Sequence, residues 1–202
     1  MCLKSHSDFN AEICIFRSIS VFQTVPLYAI LYKAMTGDFI MNKQDIYARL
    51  NEKQLWHELT EHQAVYHMDD FSGVELPYPE ADAKSLFIRD DKKQNYYLLT
   101  VPGSKRVDLK AFRKAQGTRP LSFASADDLM AIMKLIPGAV TPFGVLNDET
   151  RRVKVFLDSG FLKHDGLIGV HPNDNTATVW MKTLDLAELL KEHGNEVYVT
   201  EL

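Results

Sequence analysis

The sequence has almost no cysteine, and this excludes two classes of protein. Its 202 residues include only Cys2 and Cys14, both close to the N-terminus. The main body of the chain therefore has no material for a disulfide framework or for a cysteine-based metal site. We expect a reducing, cytoplasmic setting.

The chain also lacks a long uninterrupted apolar segment. Residues 13–35 are rich in apolar side chains, but polar residues and a proline, such as Arg17 and Pro26, interrupt them. This pattern is too broken for a membrane span, and no small-residue cleavage site follows it. We expect no membrane partner and no secretory signal. We predict that residues 1–40 are a poorly packed extension, or reflect an upstream start, before one domain over 41–202.

No standard catalytic signature is present, such as a phosphate-binding glycine loop, a GxSxG elbow or an HExxH motif. His57, His62 and His67 recur every five residues, a spacing that suits neither one helix face nor one strand face. We therefore predict no metal site and no cofactor. Asp174 lies close to His171 in the chain, but a single carboxylate–imidazole pair is weak evidence for a base or a metal ligand.

Charge is unevenly distributed along the chain. The net charge is −4, yet residues 84–119 contain ten Lys or Arg and only three Asp. Such a basic strip fits a local phosphate-rich partner, and the acidic remainder would limit nonspecific binding to DNA. The alternative is that these charges only solvate the surface.

Hydrophobic periodicity predicts alternating strands and helices within one domain. Asn42, Ser125 and Thr183 are predicted to cap helices, and Gly117 and Gly194 to end them. The predicted helices are 43–52, 107–116, 125–134 and 184–193. The predicted strands are 55–61, 83–89, 96–101, 121–124, 153–157, 167–170, 176–181 and 196–201.

Three features could carry chemistry together. Lys84 begins an apolar strand and could point into a cleft, although such lysines commonly extend to solvent. Residues 136–144 contain two glycines and two prolines and are predicted to form a stiff loop, with amides near Gly138 to Thr141 free for a ligand or used only structurally. His171 ends a strand where a polar turn begins; alternatively, it is a surface histidine on a hairpin.

The segments Lys84–Lys93, Gly138–Pro142 and Gly169–Asn175 resemble, in this order, the YbaK-like aminoacyl-tRNA deacylases. That family is related to the editing domain of bacterial prolyl-tRNA synthetase. The resemblance runs from about Met41 to Leu202 and is strongest to the free-standing branch that removes alanine from mischarged tRNA(Pro). It implies an α/β (α+β) fold with a mixed, largely antiparallel, curved β-sheet flanked by helices.

The resemblance also implies roles for individual residues. Lys84 matches the essential lysine that engages the acceptor end and organises the ester, and His171 matches the histidine that holds the terminal adenosine and aminoacyl group. Ser85 stands where many relatives have Asn, and its hydroxyl has a shorter reach. The implied substrate-binding residues are Ser85, Gly138, Ala139, Val140, Thr141, Pro142 and Asn175, of which Gly138 and Pro142 define the family's GxxxP loop.

The implied partner is the acceptor end of mischarged tRNA(Pro), with prolyl-tRNA synthetase as a further partner. The basic strip would contact tRNA phosphates. Its predicted tRNA-binding residues are Lys92, Lys93, Lys105, Arg106, Lys110, Arg113 and Lys114. Three readings stay open: a deacylase for Ala-tRNA(Pro), the same fold acting on Cys-tRNA(Pro) or another mischarged tRNA, and a catalytically silent tRNA-binding module.

Overall fold

The structure is a computed structural model that describes residues 40–64 and 76–202. Residues 1–39, which make up almost all of the predicted extension, and His67 lie outside the described residues. Within the described residues, helices and strands form close to the predicted segments because local capping and periodicity agree with the fold.

Four α-helices occur in the described part of the chain. They are α1 (Lys43–Glu52), α2 (Leu109–Gln116), α3 (Ala126–Met133) and α4 (Thr183–His193). Asn42 and Ser125 cap α1 and α3, each in a reciprocal capping box, as the sequence predicts. Gly117 and Gly194 end α2 and α4 with φ of 61° and 106°, a left-handed conformation that glycine adopts at little cost.

The predicted cap of the last helix is wrong by one residue. Lys182 occupies the cap position, and Thr183 is the first residue of α4. The Thr183 hydroxyl instead donates a hydrogen bond to the Gly166 carbonyl over 3.0 Å. Thr183 is fully buried, so its side chain ties α4 to the segment before the sixth strand rather than satisfying amides of its own helix.

Eight strands form two sheets. They are β1 (His57–Glu61), β2 (Ala83–Asp90), β3 (Tyr96–Pro102), β4 (Leu121–Phe123), β5 (Val153–Asp158), β6 (Leu167–Val170), β7 (Ala177–Lys182) and β8 (Val197–Thr200). The smaller sheet has the order β1-β7-β6 and is antiparallel. The larger sheet has the order β4-β2-β3-β5-β8, in which only the β3–β5 and β5–β8 pairs are parallel. The mixed, largely antiparallel character implied by the family resemblance is confirmed, although the strands are divided between two sheets rather than forming one.

An isolated parallel bridge between Asp82 and Gly169 links the start of β2 to β6. Position 169 must be glycine, because a Cβ there would overlap the ring of Trp180. Trp180 is fully buried, and its indole N–H donates to the Thr60 hydroxyl over 2.9 Å. The close approach of these chains therefore depends on glycine at this point.

Both faces of the five-stranded sheet are covered, which explains why β3 is buried along almost its whole length. On one face, Phe112 of α2 contacts Tyr97 and Phe156 with ring centroids 6.0 and 5.0 Å away. On the other face, Asp128 at the start of α3 accepts the hydroxyl of Tyr96 at 3.2 Å. Successive residues of each strand alternate between these two environments.

Candidate active site

Lys84 lies at the beginning of β2, where the strand is still half-buried. Its ammonium donates to the Gly103 carbonyl over 2.7 Å, and the Gly103 N–H donates to the Asp82 carbonyl over 2.9 Å. No carboxylate pairs with Lys84 among the residues that the structure describes. The Lys84 ammonium therefore has a main-chain carbonyl oxygen, rather than a carboxylate, as its hydrogen-bond partner.

The bridge between Asp82 and Gly169 brings Lys84 and His171 to the same end of the fold. The two chains run in the same direction from this bridge, and each of these residues lies two positions beyond it. Paired strands are about 4.8 Å apart, and side chains two positions apart share a face. The bridge therefore brings the two sequence motifs close together, although Lys84 and His171 are 87 positions apart in the chain.

A hydrogen bond to a main-chain carbonyl fixes the orientation of the His171 imidazole. Its Nδ1 lies 2.9 Å from the Ala177 carbonyl, which can only accept, so Nδ1 carries the hydrogen and Nε2 is left as an acceptor. Burial lowers the pKa of His171, and the hydrogen bond to Ala177 offsets this only partly. The neighbouring His62 lowers the pKa further.

His62 is a neighbour of the site that the sequence analysis did not identify. Its ring lies 6.0 Å from that of His171 in an edge-on arrangement. Its Nδ1 lies 2.8 Å from the Gln63 carbonyl and its Nε2 3.1 Å from the Thr178 hydroxyl. The only signal for this proximity is the pairing of β1 with β7, a long-range contact that local patterns do not reveal.

The glycine–proline loop is attached to His171 by a side chain. Thr141 is almost fully buried, and its hydroxyl donates to the main-chain carbonyl of His171 over 2.6 Å. Gly138 is exposed with φ of 90°, a conformation that favours glycine. The amide of Ala139 donates to the Ile136 carbonyl over 3.1 Å and is therefore used within the loop.

The prediction of an irregular loop over residues 136–144 is wrong for its last three residues. Pro142 begins a short 3-10 helix, Pro142–Asn147, all of which is buried. Proline suits the first position of a helix because its fixed φ matches and it needs no amide partner there. A Cβ on Gly144 would overlap the side chains of Leu135 and Met133, so this glycine serves close packing.

The carboxylate of Asp174, in the turn after His171, is bonded within that turn. Asp174 accepts hydrogen bonds from the Thr176 amide, at 2.8 Å, and from the Thr176 hydroxyl. This hydroxyl is the largest cause of the lowered pKa of Asp174. The imidazole of His171 forms its hydrogen bond with the Ala177 carbonyl instead. Asp174 and His171 are therefore not joined as a carboxylate–imidazole pair. Asn175, predicted to bind substrate, lies half-buried in the same turn.

Residues 62–189 match the family model of the aminoacyl-tRNA editing domain. The chain belongs to this family. Among its curated relatives is the prolyl-tRNA editing protein ProX of Acetoanaerobium sticklandii, which is 39% identical over 160 residues, or 79% of this chain and 97% of that protein. The prolyl-tRNA synthetase associated domain-containing protein 1 of Mus musculus is 28% identical over 76% of this chain and 92% of its own length.

Solved structures share the fold of this editing domain at low sequence identity. One is described as a candidate trans-editing enzyme for prolyl tRNA synthetase; it has a TM-score of 0.57, 21% identity, and coverage of 78% of this chain and 94% of that chain. The hypothetical protein APE2540 has a TM-score of 0.57 at 17% identity, covering 77% and 97%. At these identities the likeness concerns the fold alone.

Ser85 of the editing domain points to the face of β2 opposite Lys84, because neighbouring residues in a strand alternate. Its hydroxyl lies 3.0 Å from that of Thr100, which is fully buried. A hydroxyl at this position thus reaches only a neighbouring strand.

The basic strip of the editing domain divides into two groups. Lys105 forms an ion pair of 2.6 Å with Asp158, whose side chain is 2% exposed, so this lysine neutralises a buried carboxylate. The other six predicted residues are exposed and make no ion pair within the described residues. They are Lys92, Lys93, Arg106, Lys110, Arg113 and Lys114.

The described residues offer neither a helix that could span a membrane nor a cluster of metal ligands. None of the helices described is both long and apolar enough to cross a membrane. In residues 40–64 and 76–202, no group of three or more His, Cys, Asp or Glu side chains is arranged to hold a metal ion.

Proposed function

We propose that this protein is a trans-acting deacylase that hydrolyses the ester of mischarged Ala-tRNA(Pro) and so protects translational fidelity. The observation that carries the proposal is the hydrogen bond from Thr141 to the His171 carbonyl. It joins the GxxxP loop to the histidine in a chain that belongs to the aminoacyl-tRNA editing family. The likeness to ProX, a prolyl-tRNA editing protein, over 97% of its length supports tRNA(Pro) as the carrier.

The reaction makes modest demands on the protein. An aminoacyl ester on a tRNA 3′ end is already activated, so positioning and charge stabilisation suffice without a strong nucleophile. In our proposal, water adds to the ester carbon, and the ribose oxygen leaves with a proton, giving free alanine and tRNA. The Lys84 ammonium, which has no carboxylate partner in the described chain, engages the acceptor end and stabilises the developing oxyanion.

His171 acts in this proposal as a positioning group. Its hydrogen is on Nδ1, facing Ala177, so Nε2 offers an acceptor to a ribose hydroxyl or to the amino group of the substrate. The lowered pKa keeps this nitrogen unprotonated at neutral pH. Thr141 sets the place of the backbone that carries the imidazole.

Selectivity follows from the size of the aminoacyl pocket. Gly138 and Pro142 bound a loop in which Ala139 and Thr141 are buried. The fixed φ of proline at the end of the loop limits its conformational freedom. A small pocket accepts alanine and excludes the bulkier proline, and this is the principle of a second sieve. Cysteine lacks the ring of proline but is larger than alanine, so Cys-tRNA(Pro) is the second candidate substrate and would require a somewhat larger pocket.

The experiment is a deacylation assay with alanyl-, cysteinyl- and prolyl-tRNA(Pro), run with and without a chelator. We expect rapid release of alanine, slower release of cysteine, no release of proline and no effect of the chelator. Faster release of cysteine would change the substrate, and loss of activity with the chelator would overturn metal independence. Binding of tRNA without any hydrolysis would favour the silent module. Co-purification with prolyl-tRNA synthetase tests that partner separately.

A further inference from the structure

A cavity of about 230 Å³ opens on the α2 side of the five-stranded sheet and includes neither Lys84 nor His171 in its wall. It is smaller than the roughly 300–1,000 Å³ typical of sites for drug-sized ligands, so it suits a single small ring system. Its principal side chains are Asn95, Tyr97, Gln116, Lys154, Phe156 and Tyr198.

Tyr198 gives the cavity a fixed aromatic surface. Its ring stacks on Phe156 with centroids 4.9 Å apart and an interplanar angle of 21°. Its hydroxyl donates to Glu196 over 2.6 Å, so the ring is held on both its inner face and its outer edge. Tyr198 remains 44% exposed, which leaves aromatic surface free for a flat ligand.

Tyr97 supplies an unused hydrogen-bond donor. The residue is only 6% exposed, yet its phenol hydroxyl has no hydrogen-bond partner among residues 40–64 and 76–202. Burial raises the pKa of Tyr97, so the hydroxyl stays protonated and can donate. The hydroxyl is not among the buried side-chain atoms that lack a partner, so it reaches solvent at the cavity, where an acceptor atom on a ligand can take the place of water.

The charges around the cavity favour a neutral ring over a phosphate inside it. Lys154 pairs with Glu196 at 2.8 Å, and Arg119 holds Asp91 through two hydrogen bonds of 2.6 and 3.0 Å. Outside the cavity, the β2–β3 turn carries Lys92 and Lys93, and the last turn of α2 carries Arg113 and Lys114, all exposed. The cations in the cavity wall are paired with carboxylates, whereas those around its opening are not, within the part of the chain that the structure describes. An aromatic surface beside unpaired cations is typical of sites that bind single-stranded RNA.

We propose that this cavity binds one unstacked nucleobase of the tRNA, stacked on Tyr198 and hydrogen-bonded by Tyr97. This rests on the proposed function, which supplies tRNA as the ligand. Tyr97 shares its sheet face with Val101, the partner of Lys84 in the β2–β3 pairing. At about 3.3 Å per residue, Tyr97 lies about 13 Å along β3 from the partner of Lys84. Because Phe112 and Leu109 of α2 pack on the sheet face between them, an acceptor strand that reaches both passes over α2.

Two substitutions test this inference with uncharged tRNA(Pro) and with AMP and CMP as free probes. Tyr198→Ala removes the exposed ring, and Tyr97→Phe removes only the unpartnered hydroxyl. Tyr78→Phe is the matched control, since it deletes a phenol hydroxyl that bonds Glu58 elsewhere on the surface. Affinity for tRNA is measured by calorimetry, and occupancy of the cavity by the NMR shift of the Gly117 amide.

We expect Tyr198→Ala to weaken tRNA binding at least about fivefold and Tyr97→Phe about two- to tenfold, with no change for Tyr78→Phe. Wild-type tRNA affinity in both cavity variants would overturn the inference. Perturbation of Gly117 by AMP or CMP, with tRNA affinity unchanged in the variants, would assign the cavity to free nucleotides instead. Ester cleavage by the wild-type protein is measured in parallel, so failure of the deacylase proposal is seen independently of the cavity.

Discussion

Thr141 donates its hydroxyl hydrogen to the main-chain carbonyl of His171 over 2.6 Å. The two residues belong to separate motifs, 30 positions apart, and Thr141 is 1% exposed. A displacement of the GxxxP loop therefore moves the backbone that carries the imidazole. The GxxxP loop and the backbone of His171 therefore form one mechanical unit.

Thr141→Val tests this coupling because it keeps the shape and deletes the hydroxyl. It leaves the His171 carbonyl without its partner, so we expect a loss of about 1–3 kcal/mol in the free energy of unfolding. We also expect kcat for deacylation to fall, measured together with urea unfolding. Thr141→Ser restores the hydroxyl and should recover most of both quantities; equal defects in the two variants would show that the methyl group, not the hydrogen bond, matters.

Lys84→Ala should abolish deacylation while the fold stays intact. The ammonium contacts only the Gly103 carbonyl within the described chain, so its removal leaves no buried carboxylate without a partner. Lys84→Gln should be similarly inactive, since in the proposed mechanism the charge rather than hydrogen bonding stabilises the oxyanion. Lys163→Ala, at an exposed position, is the control. Near-normal single-turnover rates in Lys84→Ala would remove this lysine from the mechanism.

Local signals in the sequence predicted most elements of the fold but not their arrangement. The capping boxes at Asn42 and Ser125 and the glycines that end α2 and α4 act within a few residues, and these predictions are confirmed. Division of the strands between two sheets depends on pairings far apart in the chain. The side chain of Thr183 bonds the Gly166 carbonyl, 17 positions away. A capping pattern covers only a few neighbouring residues, so it could not predict this contact.

The same distinction applies to the candidate site. Lys84 and His171 were identifiable from motifs, whereas His62 approaches His171 only through the pairing of β1 with β7. The burial of Asp82 was not predicted either, because residue 82 lies beside Gly169, which is far away in the chain. Lys105 looks like its basic neighbours in sequence and differs only by its contact with the buried Asp158.

Lys105 and Lys114 should therefore respond differently to substitution by alanine. Lys105→Ala leaves Asp158 buried without its cation, so we expect a loss of about 1–3 kcal/mol in the free energy of unfolding. Lys114→Ala should leave stability nearly unchanged, weaken tRNA binding and lower the salt dependence of the binding constant by about one counterion. Denaturation and tRNA titration at several salt concentrations measure both; the reverse pattern would assign Lys105 to the tRNA surface.

His171 should make stability depend on pH. Burial lowers the pKa of His171 below its ordinary value of 6.5. In the pH range between the lowered pKa and 6.5, the unfolded chain therefore binds more protons than the folded one. Stability then rises as pH increases toward about 7 and becomes level above it. Deacylation should fall with the same protonation. His171→Ala should flatten this part of the stability curve, measured by urea unfolding between pH 5 and 8; an unchanged slope would mean that another group titrates.

Asp82 should produce the opposite slope. Burial raises the pKa of Asp82 from 3.8 to about 6, although a hydrogen bond from the Ala83 amide opposes the shift. Between these values the folded protein binds more protons than the unfolded chain, so stability falls as pH rises from about 4 to 6. Asp82→Asn removes the buried charge and should stabilise the protein by up to about 3 kcal/mol at pH 7.5, with no gain below pH 4.

Paired unfolding curves of the two proteins across this range measure the difference. A gain that persists unchanged at pH 3.5 would mean that the asparagine stabilises by packing or hydrogen bonding rather than by removing a charge. Destabilisation at pH 7.5 would mean that the hydrogen bond of the carboxylate with the Ala83 amide outweighs the cost of its burial.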